Sequence, residues 1–124
     1  MARRAGGGPE QPEETLEQRW VLEAQTARNL EGLSAEASGD LDRAIALYER
    51  NVAEGFPADL PYGRLVSLYE RQQAWADAER VLRRGIEVFS ASGRRTPQAR
   101  RATVRVFKNR LAELKRKRRA SSGR

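Results

Sequence analysis

Cysteine and histidine are both missing from the 124 residues. The first absence excludes disulfides and thiolate chemistry. The second removes the commonest general base and the commonest metal ligand. No apolar run approaches the roughly 20 residues that a membrane-spanning helix needs, so no membrane insertion is expected. No apolar signal-peptide core follows Met1-Ala2-Arg3-Arg4, which predicts a cytoplasmic protein. Gly6-Gly7-Gly8 precedes neither a strand nor a Lys-Ser/Thr pair, so it is no phosphate loop. The sequence therefore predicts no catalytic residue, no metal site and no cofactor. Lysine is also scarce, since only Lys108, Lys115 and Lys117 stand beside 21 arginines. Such Arg, Ala and Gly richness is what GC-rich codons produce, and it reads as a bacterial source.

What is present is charge and amphipathic pattern. Charged residues make up 33% and apolar ones 39%, too polar for a large core but enough for stacked amphipathic helices. The net charge of +7 is unevenly spread. Residues 1–93 hold 11 basic and 16 acidic residues, a balance of −5, whereas residues 94–124 hold 13 basic residues and the single acid Glu113, a balance of +12. The chain is an acidic body with a basic tail.

Residues 1–12, with Pro9 and Pro12, lack periodic apolar residues and are expected to be disordered, as are residues 120–124. Five helices are predicted between them, over residues 13–119. The first runs from about Glu13 to Ala37 and stops at Gly39. Asp40 caps a second that carries Ala44, Ile45, Tyr48 and Val52 and ends near Gly55. The third starts around Pro61 and carries Leu65, Val66, Leu68 and Tyr69. The fourth runs from about Trp75 to Phe89. Thr96-Pro97 opens a fifth, with Val104, Phe107, Leu111 and Leu114 on one face. No segment alternates with the period of a strand.

The second and fourth helices are copies at a fixed offset. Leu41 aligns with Trp75, Ala44 with Ala78, Tyr48 with Leu82 and Asn51 with Gly85, each 34 residues apart. On these residues the chain resembles the tetratricopeptide family of helix-turn-helix repeats. Tyr62, Leu65, Tyr69, Ala78 and Leu82 fall on signature positions of one unit, residues 59–92. Gly32, Gly39, Ala44 and Tyr48 match in the other, residues 25–58. Arg28 and Glu31 depart from the pattern, and Ser90 stands where the family commonly has Pro. The stretch from Tyr48 to Phe56 also looks like small bacterial members of the family. The resemblance implies an all-α architecture in which Ala44 and Ala78 sit at close helix crossings and Tyr48 and Leu82 fill the gap to the next unit. Two units leave two open ends. A basic capping helix, residues 96–119, is expected to cover one, and the turns around Trp20 the other. Trp20, Trp75 and Tyr69 are read as packing residues.

The same resemblance implies a peptide groove on the first helix of each unit. That face would show Thr26, Asn29, Leu33, Ala37, Gly63, Ser67, Glu70 and Arg71, continued by Arg94, Arg101 and Arg105. Leu33, Gly63 and Ser67 do not suit a clamp for a C-terminal carboxylate, so that role is rejected. The tail Lys115-Arg116-Lys117-Arg118-Arg119 is a candidate polyanion-binding run. Only Phe107 is interleaved with the basic residues, and the pattern assigns it to the core, so base stacking is unsupported. The favoured reading is a non-catalytic adaptor for another protein or peptide. The alternative is a nucleic-acid-binding accessory protein, and self-association through the basic tail stays open.

Overall fold

The structure, a computed structural model, describes residues 14–93 and 95–122. The segment 1–12, Arg94 and the last two residues of the expected tail lie outside the described residues. Among the described residues the chain forms five α-helices and no strand: α1 (Leu16–Ala37), α2 (Leu41–Ala53), α3 (Leu60–Arg71), α4 (Trp75–Ser90) and α5 (Pro97–Ser122). Each packs against its neighbours in sequence. No helix is long and apolar enough to cross a membrane.

Local chemistry sets the helix starts. Thr15, not anticipated as a cap, closes a capping box: its hydroxyl accepts from the Gln18 amide at 3.0 Å, and the Gln18 side chain accepts from the Thr15 amide at 2.8 Å. Asp40 caps α2 as expected, accepting from the Arg43 amide. Thr96 accepts from the Ala99 amide ahead of Pro97. The end of α5 departs from expectation. Ala120, Ser121 and Ser122 continue the helix, because nothing before Gly123 interrupts a run of good helix formers.

The two tight turns share one hydrogen-bond pattern. After α1, the Gly39 amide donates to Glu36 and the Asp40 amide to Ala35. After α3, the Gln73 amide donates to Glu70 and the Ala74 amide to Tyr69. Each group is displaced by 73 − 39 = 34 residues, as are the ends of α1 and α3 and the starts of α2 and α4. Both turns need a left-handed residue, at φ +84° for Gly39 and +57° for Gln73. Glycine meets that demand without strain in the first, and glutamine meets it in the second.

The core runs along the stack. Ala44, Tyr48, Tyr62, Leu65, Tyr69, Ala78 and Leu82 are all buried. Tyr62, Phe89 and Phe107 form an aromatic cluster with ring centroids 5.4–6.0 Å apart, joining α3, α4 and α5. Leu111 and Leu114 extend the buried stripe of α5, and Val104 packs at its margin. The Tyr48 ring lies on Gly32 of α1, where a Cβ would come within 2.5 Å of it, and its hydroxyl shares Glu36 with Arg64 of α3. One expectation is corrected. Trp20 does not cap the array. It is 61% exposed, because α1 is one continuous helix whose inward face is set by Gln25, Asn29, Gly32 and Ala35.

Candidate functional site

The face expected from α1, α3 and α5 is partly occupied by the chain itself. Asn29 is buried, not displayed. Asn51 stands on α2 where α4 has Gly85, and its side-chain amide donates to Asn29 Oδ1 at 2.7 Å and to the Gln25 carbonyl at 2.8 Å. Arg28 donates to Asn51 Oδ1 and, at 3.1 Å, to Glu54. Gln25 donates to the same Glu54 oxygen at 3.0 Å. A buried amide has to be satisfied, and this network draws Asn29 inward. Thr26, Leu33, Ala37 and Arg71 remain exposed.

On α3 the expected groove residues meet α5. Arg110 donates to Ser67 Oγ at 2.9 Å and to the Gly63 carbonyl at 3.4 Å, while Lys117 reaches Glu70 at 3.4 Å. Arg101 and Arg105 lie elsewhere, with Ser90 and Pro97 around a separate depression. Carrying the period onto α5 placed them opposite Ser67 and Arg71. The contacts run at a separation of 43 for Ser67–Arg110 and 47 for Gly63–Arg110 and Glu70–Lys117. Arg110 was missed, although it sits beside Leu111 at the edge of the apolar stripe.

A different groove is open. It has a volume of about 520 Å³ and is lined from α1, the end of α2 and the end of α4. Val21, Leu22, Pro57, Val88 and Phe89 supply apolar surface, and Glu14, Glu17 and Glu54 supply carboxylates. The Glu54 carboxyl is held below its ordinary range, first by the hydrogen bond from Gln25 and then by Arg28 and Arg50, against the opposing effect of burial. Glu54 is therefore ionised at the groove wall, with its charge met by Arg28 and Arg50. The groove's residues come from three elements that no sequence spacing connects, which is why the sequence did not reveal it.

The basic tail is partly engaged. Lys117 pairs with Glu70, Arg118 approaches Glu79 at 3.5 Å, and Arg116 lies 4.0 Å from Glu113. Lys115 and Arg119 are exposed. The tail meets the acidic body of its own chain.

The remaining shifted groups tie helices together. Glu36 accepts from Tyr48 at 2.6 Å and from Arg64, joining α1, α2 and α3. Glu49 accepts from Tyr69 and Arg80, joining α2, α3 and α4. The Arg64 hydrogen bond holds the Glu36 carboxyl low despite partial burial. Burial, reinforced by the carboxylates, raises the Tyr48 and Tyr69 phenols, and burial pushes Tyr62 up to about 12. These phenols stay protonated and act as donors. No three acidic side chains among the described residues form a metal-holding group. Comparison with known proteins found no family model, no curated protein and no solved structure that matches the chain.

Proposed function

We propose that the chain is a non-catalytic protein-binding module built on tetratricopeptide-type helix pairs, with α5 as the basic cap. The observation that carries this reading is the open groove beside Val21 and Val88 on a frame whose polar side chains are largely committed to holding helices together. The 34-residue displacement of turns and helix ends supports the repeat architecture. Arg28, a departure from the family pattern, is accommodated by its bond to Asn51 of the paired helix. The groove suits a short apolar segment of another protein, with a basic residue placed to meet Glu17.

Photo-crosslinking amino acids at Val21 and at Val88, with Leu33 and Arg71 as controls, test this in cells of the source organism. The expected outcome is one protein captured from both groove positions and lost when Leu22 becomes Glu. Capture only from Leu33 or Arg71 would move the site to the face of α1 and α3. The nucleic-acid alternative is favoured by one observation: Arg101, Arg105, Lys108, Lys115, Arg116 and Arg119 are exposed on a single helix. It takes over if the chain binds DNA or RNA with a steep salt dependence that the Gln variant of residues 115–119 removes.

A further inference from the structure

The two end helices of the stack present unlike surfaces to solvent. On α1 the outward side carries Leu16, Trp20 and Leu30, which are 61%, 61% and 63% exposed. At 100° per residue these three fall within one narrow arc, and Glu23 falls between them. Glu31 borders the arc on one side, with Glu17 beyond it, and Arg19 borders it on the other. Glu31 bonds to Arg43, but both side chains are more than half exposed. An end helix that closes a helical stack needs a polar outer face, and this one is apolar with an acidic margin.

At the opposite end, α5 and the end of α4 leave an open depression of about 570 Å³. Half-buried Val104 and exposed Pro97 supply apolar surface there, and Arg101, Arg105 and Lys108 supply positive charge. Arg101, Arg105 and Lys108 are exposed and have the sign opposite to that of the α1 margin.

We propose that copies of this chain associate head to tail. The outward face of α1 from one copy lies in the α4–α5 depression of the next, with Trp20 over Val104 and Glu23 and Glu31 against Arg101 and Arg105. The charge complementarity selects a second copy as the occupant, because both halves of the match belong to the same chain. The contact joins two different surfaces, so it propagates as an open chain, or closes as a ring if the rotation allows.

The test uses two variants of the full chain, Trp20→Glu, which spoils the head, and Arg101→Glu with Arg105→Glu, which spoils the tail. All three substitutions fall on exposed side chains, and circular dichroism checks their folding. Leu30→Glu is the second head variant if Trp20→Glu misfolds. In sedimentation equilibrium the unmodified chain should rise above its 14.0 kDa monomer mass with concentration. The association should weaken at about 1 M salt, where screening reaches only about 3 Å. Each variant alone should stay monomeric. Mixed in equal amounts they should form a dimer and go no further, since one intact head and one intact tail remain. A monomeric unmodified chain overturns the proposal. So does a variant that self-associates alone, or a mixture that stays monomeric.

Discussion

Gly32 and Tyr48 act as a pair. The Tyr48 ring occupies the space that a Cβ on residue 32 would need. Thirty-four residues on, the same two places hold Val66 and Leu82, both fully buried. One helix pair combines a small residue with a large one, and the other combines two of middle size. Gly32→Ala should overpack this contact and destabilise the fold by about 1–3 kcal/mol. Adding Tyr48→Leu should return part of that loss, with a coupling of at least about 0.5 kcal/mol in a denaturant double-mutant cycle. Additive effects would mean that the ring does not confront Gly32. Gln73 offers the opposite sign. Its φ of +57° costs a non-glycine residue about 1 kcal/mol or more, so Gln73→Gly should stabilise by about 0.5–1 kcal/mol. A lower urea midpoint for this variant would show that the side chain, not the backbone, decides there.

At the scale of elements, α5 is structural despite its charge. Phe107 lies on Gly85, where an added Cβ would sit 3.1 Å from the ring, and it completes the cluster with Tyr62 and Phe89. A chain ending at Ser92 exposes that cluster and the surface under Leu111 and Leu114. Each buried Leu or Phe contributes roughly 1.5–3 kcal/mol, against a total stability of about 5–15 kcal/mol for a domain. The shortened chain should lose its cooperative thermal transition, and an equally high, equally sharp melt would reduce α5 to an appendage. Replacing Lys115, Arg116, Lys117, Arg118 and Arg119 with Gln should barely move the melting temperature. The pairs to Glu70 and Glu79 are about half exposed on the basic side, and such pairs are worth about 0–1 kcal/mol each. The contrast between α5's two faces was legible in sequence, because Phe107, Leu111 and Leu114 recur at helical spacing. So were the Asp40 cap, the end of α1 before Gly39 and the end of α4 near Phe89. The fate of Asn29 was not, since its burial depends on Asn51, 22 residues away and unlike its counterpart Gly85. Arg110 was hidden for a related reason. The connection before α5 is as long as that before α3, but α4 has 16 residues against 13 in α2, so α5 starts 97 − 60 = 37 residues after α3 and the 34-residue period does not carry onto it.

Across the whole molecule, stability depends on carboxylates and phenols that bind helices to one another. Glu36 and Glu54 are each held below the ordinary value of 4.5, chiefly by hydrogen bonds from Arg64 and Gln25 on neighbouring helices, and Glu79 is lowered chiefly by Arg83 within α4 itself. A carboxyl lowered in the folded state stabilises the fold once ionised. That contribution is complete above the ordinary value and is lost as pH falls through the lowered one. Tyr48, Tyr62 and Tyr69 are raised above 10.0, mainly by burial. Their contribution has the opposite sense, complete below the ordinary value and lost as pH rises toward the raised one. With no histidine to titrate between, the urea midpoint should be nearly flat from about pH 5 to about pH 9.5 and should fall on both sides. Glu36→Gln should lower the plateau, because Arg64 and Tyr48 lose their shared carboxylate, and should make the acid limb shallower. Tyr62→Phe should soften the alkaline limb while removing the bond to the Phe56 carbonyl. A midpoint that climbs as pH drops from 5 to 3 would contradict the assignment of these carboxylates as ionised ties. An acid limb unchanged by Glu36→Gln would place the acid sensitivity at Glu54, on the α1–α2 contact, and at the Glu79–Arg83 pair within α4.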